Sequence, residues 1–351
     1  MFPSPIGGIP YPIDFAPSLV FAVAYGCLLP LVAYRIFDRN SRTILLIGSC
    51  IFTVERIVAF SLRAAQSVNA SKRFNVGLMA YIQSDLALGY IGIAIDLGKL
   101  LRTLLVAPTY GSDTYVQSTE AESRYRYWIS TAKLDGAAAG DKEEQRDFPT
   151  KPPEGTPDAP RTRAWIRGLA GAVALAFLSA IVVGIIATSN LPNVVKGEAN
   201  TDQNMVLRYV STAVALFLIV GNAAASVWAY ICLPRVNRQG CVILFVISWL
   251  LCIIAVYRLS VMQNTTESLQ STASGSLNSV GDKAAFYIFH ILPEWLSSAL
   301  LFVFNTRRIF STGFIGDWRL ADEGPKEKER RLKKEAAHRE KLQLRKLEDP
   351  Q

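Results

Sequence analysis

The sequence predicts an all-α polytopic membrane protein: a bundle of seven transmembrane helices with a long cytosolic loop between helices 3 and 4 and a charged helical tail. Three observations predict it. Half of the 351 residues are hydrophobic and the mean hydropathy is +0.24, values that soluble chains also reach, so distribution decides. The apolar residues gather into blocks of about twenty or more, the length at which a helix crosses a bilayer. The charges, formally +8 in sum, crowd into the connectors and the C-terminal tail. The expected organisation is a short outer N-terminus (1–16), a membrane domain (17–308) and a cytosolic interfacial and charged tail (309–351).

The N-terminus is rich in proline and glycine, with little to bind a large ligand. It lacks the basic start of a cleaved signal peptide, since its first lysine or arginine is Arg35. The block at about 17–34 is therefore an uncleaved first span. The second, about 43–66, reads TILLIGSCIFTVERIVAFSLRAAQ and holds Glu55 and Arg56 near mid-depth. Arg56 and Arg63, two helical turns apart, share a face. The third, about 76–101, carries Asp85 near its middle and Asp96 near its end, again on one face. The loop at about 103–163 is predicted disordered from its polar composition and clustered prolines, with a partly helical patch at 125–133 suited to the membrane surface.

The fourth span, about 164–188, has a row of small residues at every fourth position: Gly168, Ala172, Ala176, Ala180 and Gly184. In lipid such a row lets another helix approach closely. The fifth (about 205–233) and sixth (about 241–262) are joined by the short link 234–240, and the sixth carries Tyr257 and Arg258 near its far end. A Ser/Thr-rich connector leads to the last span, about 284–306, with His290, Pro293 and Glu294 near its middle. Pro293 removes the hydrogen bond to the Phe289 carbonyl, which predicts a kink.

The lysines and arginines beside the spans put the N-terminus outside or lumenal and the C-terminus in the cytosol. The sequons at Asn69 and Asn264, both glycosylation candidates, fall on the outer side in that arrangement. Past Arg308, Phe310, Phe314, Ile315 and Trp318 predict a segment lying in the interface. The charged run 326–347 has Glu327/Arg331, Glu329/Lys333 and Glu335/Arg339 at helical spacing. It reads as a solvated helix or as a contact for anionic lipid or a cytosolic protein partner; interleaved acids argue against nucleic acid. The five cysteines lie within or at the ends of apolar blocks, so no disulfide framework is expected.

The candidate ligand-binding residues are Glu55, Arg56, Asp85, Arg258, His290 and Glu294, from four helices near mid-depth. The plainer reading is interhelical pairing, since buried polar groups must be paired or neutralised whatever the function. The functional reading is a polar pocket open to the outer side for a small or lipidic ligand, an ion or a proton, with His290 and Glu294 on one wall. No enzyme and no cofactor is expected. The chain has only two histidines, and only His290 lies within a span, too few for the zinc of the seven-helix ceramidase and progestin-receptor-like hydrolases. Lys283 sits at the entrance of the last helix rather than inside it, as a rhodopsin would require. No nucleophile motif or phosphate loop is present.

The third helix ends DLGKLLR and the last carries HILPEW, so the signatures of rhodopsin-like receptors are missing. On ERIVAFSLR in the second span, LPEW in the last and the layout from Pro17 to Arg308, the chain resembles the fungal seven-helix membrane proteins. Some of those are similar to receptors, others to the lipid-translocating exporter family linked to resistance to toxic amphiphiles. The resemblance implies the fold and a membrane location, but no signalling partner. Three roles remain open: a receptor-like protein reading a ligand through its loop and tail, a transporter or exporter of amphiphiles or protons, and a membrane organiser.

Overall fold

The computed structural model describes residues 1–38, 40–119, 121, 152–333, 336 and 337. It is mostly helical (73%). Among the described residues, the departure from all-α is one antiparallel pair, β1 (Phe2–Pro3) with β2 (Thr265–Thr266), which ties the N-terminus to a distant connector.

A 3₁₀ turn at Pro12–Asp14 leads into α1 (Phe15–Gly26) and α2 (Leu29–Phe37). The chain turns at Cys27–Leu28, immediately before Pro30, whose missing N–H suits the first turn of a helix. Then come α3 (Ile47–Val68), the short α4 (Ala70–Arg73) and α5 (Val76–Val106). Beyond the loop lie α6 (Pro160–Ser189), the short α7 (Leu191–Val195), α8 (Thr201–Cys232) and α9 (Arg238–Val261). The last apolar block is α10 (Val280–Phe286), a π-helical turn at Tyr287–Ile291 and α11 (Leu292–Val303). Two short helices, α12 (Thr306–Ile309) and α13 (325–333), complete the described chain. Asn75, Asn200 and Asn237 cap α5, α8 and α9, their side-chain oxygens accepting the first free N–H groups.

Among the described residues, six stretches are long and apolar enough to cross a membrane: Pro12–Phe37, Ile44–Val68, Pro160–Val195, Thr201–Cys232, Arg238–Val261 and Val280–Val303. They point to a membrane location. Their outward faces carry exposed Val20, Leu175, Leu178, Phe217, Ile231 and Trp249, the side chains lipid would cover.

The predicted third span is not among the six. It forms a 31-residue helix, α5, but one packed against α3, α6, α8, α9 and α11. Tyr90, Ile91, Ile93, Ala94, Leu97 and Leu100 are buried along it. A helix wrapped by its neighbours need not be apolar all round, which is why α5 can carry Asp85 and Asp96. Both aspartates turn towards α3, as their spacing predicts. Asp96 accepts from Ser49 Oγ (2.7 Å) and Ser49 N (3.0 Å), supplying an acceptor to the first turn of α3 from a neighbouring helix.

Three expectations are corrected. Of the small-residue row, Ala180 and Gly184 are buried, with Ser211 of α8 donating to the Ala180 carbonyl (2.7 Å), whereas Gly168 and Ala172 are exposed. Four residues turn a helix by 40° more than a full circle, so the row drifts by roughly 160° over its length and leaves the contact face. The loop expected to be disordered is ordered at its described ends. Ser112 N donates to the Thr156 carbonyl (3.2 Å) and Ala159 N to that of Thr109 (3.0 Å). The patch at 125–133 lies outside the described residues. In the tail, Phe310 is buried rather than interfacial, while Phe314, Ile315 and Trp318 are exposed. Glu329 and Lys333 pair as predicted (2.8 Å), Arg331 binds Glu323 instead (3.0 Å), and Glu335/Arg339 falls outside the described residues.

Candidate functional site: a charged centre and two fastened ends

Arg56 projects from α3 between two carboxylates on other helices. Its Nη1 donates to Asp85 of α5, and its Nη2 to Glu294 Oε1 of α11 at 2.6 Å. The guanidinium lies over the Phe52 ring, 4.4 Å from its centre. Here α5 must be glycine: a Cβ on Gly89 would fall 2.0 Å from Phe52 and 2.6 Å from Arg56 Nη2. Arg258 reaches in from α9, donating through Nη1 to the Leu86 carbonyl (2.9 Å) beside the Tyr90 ring. His290 is held between the rings of Phe286 and Tyr257.

The kink predicted at Pro293 takes the form of the π turn just before it. That turn loosens the backbone where proline cannot donate, and it brings Glu294 to the start of α11 facing Arg56.

Arg56, Asp85, Arg258, His290 and Glu294 are all buried, between 0% and 4% exposed. The structure therefore brings five of the six predicted residues into one region. It does not bring Glu55, which stands half-buried at the rim and joins none of these pairs among the described residues. Consecutive helical residues point about 100° apart, so Glu55 and Arg56 cannot share the inward face. The expected pocket open to the outer side is also corrected, because the centre is closed off. Within it several buried polar atoms lack a hydrogen-bond partner among the described residues: Glu294 Oε2, Asp85 Oδ1, Arg56 Nε, Tyr25 Oη and both ring nitrogens of His290. Such atoms are costly in a packed interior.

At the N-terminal end of the bundle, Asp14 is the residue that the sequence reading missed. Fully buried, it pairs with Arg63 (3.0 Å) and Lys283 (2.8 Å) and accepts from the Tyr287 hydroxyl (3.1 Å). A signal is available in the sequence: Asp14 is the sole acid before Asp38, and Arg63 shares a helix face with Arg56. The two sequons lie at this end of the bundle. Asn69 caps α4, its side chain accepting from Ser71 N, and Asn264 sits in the turn before β2, its carbonyl accepting from Ser4 N.

The opposite end is fastened by a second cluster. Asp317, following α12, accepts from Arg102 Nε (3.1 Å) and from Arg167 Nε and Nη2 (3.0 and 2.8 Å). Asp322 binds Arg163 (2.6 Å) and Arg167 (2.8 Å), and Asp158 binds Arg163 (2.9 Å). The Arg163 guanidinium holds the Asp158 carboxyl down at about 2 and Asp322 below its ordinary value. Linkage gives the sign: both contributions are present above the ordinary carboxylate range and fade as pH falls below it, that of Asp158 towards about 2. Melting the detergent-solubilised protein from neutral to strongly acidic pH should therefore show an acid-dependent loss that an Asp158→Asn/Asp322→Asn variant lacks. Identical acid profiles would show that these pairs stabilise nothing.

No family model matches the chain, and no curated protein or solved structure is significantly similar to it. The charged centre must therefore be read from its own geometry.

Proposed function

We propose that the chain is a receptor-like, non-catalytic membrane protein with seven spans, α5 included. In this reading its N-terminus is outside or lumenal and its 309–351 tail is cytosolic. It binds a small or lipidic ligand through the polar centre and relays the change to the cytosolic loop and tail, where a protein partner would bind. One observation carries the reading: a single guanidinium, Arg56, is shared by carboxylates on two other helices, and each carboxylate keeps an unpaired oxygen. A ligand that engages Glu294 or His290 competes for Arg56. It thereby changes which helices are tied together, the differential contact that a two-state bundle requires. Membrane lipids cover the outer faces; neither a cofactor nor nucleic acid enters the scheme.

A proton or amphiphile carrier is the second reading. It is favoured by the π-helical turn at Tyr287–Ile291, because irregular backbone beside a buried carboxylate is a transporter device. Both readings are tested by placing the full chain in lipid vesicles and in cells. Sensing requires that some amphiphile in a panel raise the melting temperature of the wild type but not of Glu294→Gln, with no proton or amphiphile flux. Flux that disappears in Glu294→Gln would replace sensing with transport. Antibody access to a tag at each terminus of intact cells scores the orientation, and an accessible C-terminal tag would reverse it.

A further inference from the structure

Residues 4–11 lie outside any helix and 12–14 form the 3₁₀ turn that enters α1, yet residues 4–10 and Asp14 are buried. Ile6 and Ile9 are each 1% exposed. The Gln83 amide pairs with both backbone groups of Ile6 (2.9 and 3.0 Å), and Asn278 accepts from Ile9 N (2.8 Å). Neutral bonds hold it too, from Ser4 to the Asn264 and Gly275 carbonyls and from the Tyr287 hydroxyl to Asp14, but its charged contacts are all of one kind, cations meeting oxygen. Arg63 donates to the Gly7 carbonyl and to Asp14, and Lys283 to the Gly7 and Ile9 carbonyls and to Asp14. Arg208, on α8 and 7% exposed, reaches the Ser4 carbonyl (3.3 Å), and its Nη1 has no hydrogen-bond partner among the described residues.

Three buried cations thus converge on this segment, which offers them one carboxylate and a set of backbone carbonyls. A carbonyl carries only a partial charge, so the mouth is cationic beyond what its occupant neutralises. Aromatic side chains stand beside the cations: Arg63 lies over Phe286 (5.0 Å), Tyr287 stacks on Phe21, and Phe60 packs nearby. The occupant keeps its path only through two glycines in left-handed conformation. A Cβ on Gly8 (φ 60°) would lie 2.3 Å from the Leu277 carbonyl oxygen, and one on Gly7 (φ 74°) 2.8 Å from Phe286.

We propose that Arg63, Lys283 and Arg208 form an anion-binding mouth for an organic carboxylate with an apolar body, and that residues 4–14 are its tethered occupant, a lid such a ligand displaces. The mouth and its lid stand apart from the sensing reading, which enters only as the consequence of displacement. Exchange at the lid reports neither a signal nor a flux, so either idea can fail alone.

The test is hydrogen exchange at residues 4–14 of the full chain in phosphatidylcholine nanodiscs, with dodecanoate as probe and dodecanol as its uncharged control. In the wild type, dodecanoate should speed exchange of the Ile6 and Ile9 amides by about tenfold or more, and dodecanol should not. Arg208→Gln should abolish the dodecanoate effect. Gly8→Ala and, separately, Asp14→Asn should release the lid without any probe while amides of α5 and α9 keep their protection, which excludes general unfolding. Equal action of both probes, no action of dodecanoate, or an unchanged lid in both Gly8→Ala and Asp14→Asn would overturn the proposal.

Discussion

Replacing Arg56 by methionine should destabilise the protein by about 3–5 kcal/mol, the usual cost of breaking a buried ion pair by removing one partner. Asp85 and Glu294 would be left facing each other, 4% and 0% exposed, with no cation between them. At least one would have to take up a proton, and α3 would lose its tie to both α5 and α11. Lysine should be a poor substitute, because one ammonium cannot present the fork that reaches carboxylates on two helices. A further variant that also replaces Asp85 and Glu294 by leucine should recover most of the loss, since a well-packed apolar cluster is often as stable as the ions it replaces. Thermal unfolding of the three variants in one detergent measures this directly. If Arg56→Met melts with the wild type, the triad is not what holds these helices together.

Much of this arrangement is legible in the sequence. The apolar runs mark their helices because hydrocarbon demands length and continuity. The starts at about 205 and 241 that the apolar runs give fall a few residues inside α8 and α9, whose first turns are polar and capped by Asn200 and Asn237. The spacing of Arg56 from Arg63, and of Asp85 from Asp96, gives the inward faces, since helical periodicity is local. The partners were not legible. Asp14 meets Arg63 across 49 residues, Asp317 meets Arg167 across 150 and Asp322 meets Arg163 across 159. No spacing rule spans such distances, and an acid in a polar-looking segment reads as solvated until the fold closes over it. The π turn was half legible: Pro293 says that the helix breaks, but only the packing of His290 between two rings shows which way.

Asp317→Ala should release the strap formed by residues 311–322, at a cost of about 2–3 kcal/mol, in the range for charged hydrogen bonds in a part-buried site. Among the described residues Asp317 is the one carboxylate reached by both Arg102 and Arg167, so its loss removes one tie of the strap to α5 and one to α6 at once. Arg167, 1% exposed, would retain Asp322 and the Tyr110 hydroxyl (3.0 Å) as partners. Arg102 Nη2 also binds the Arg319 carbonyl (2.6 Å), so letting go of Asp317 loosens the backbone at a trypsin site. Limited trypsin digestion should therefore cut after Arg319 faster in Asp317→Ala than in the wild type, while cleavage elsewhere in the bundle is unchanged. Because the two side chains share hydrogen bonds, Asp317→Ala combined with Arg167→Met should cost less than the sum of the single changes. Strict additivity, or wild-type cleavage at Arg319, would mean that Phe310 and its apolar neighbours hold the strap unaided. The charged latch would then play no part in joining the tail to the ends of α5 and α6.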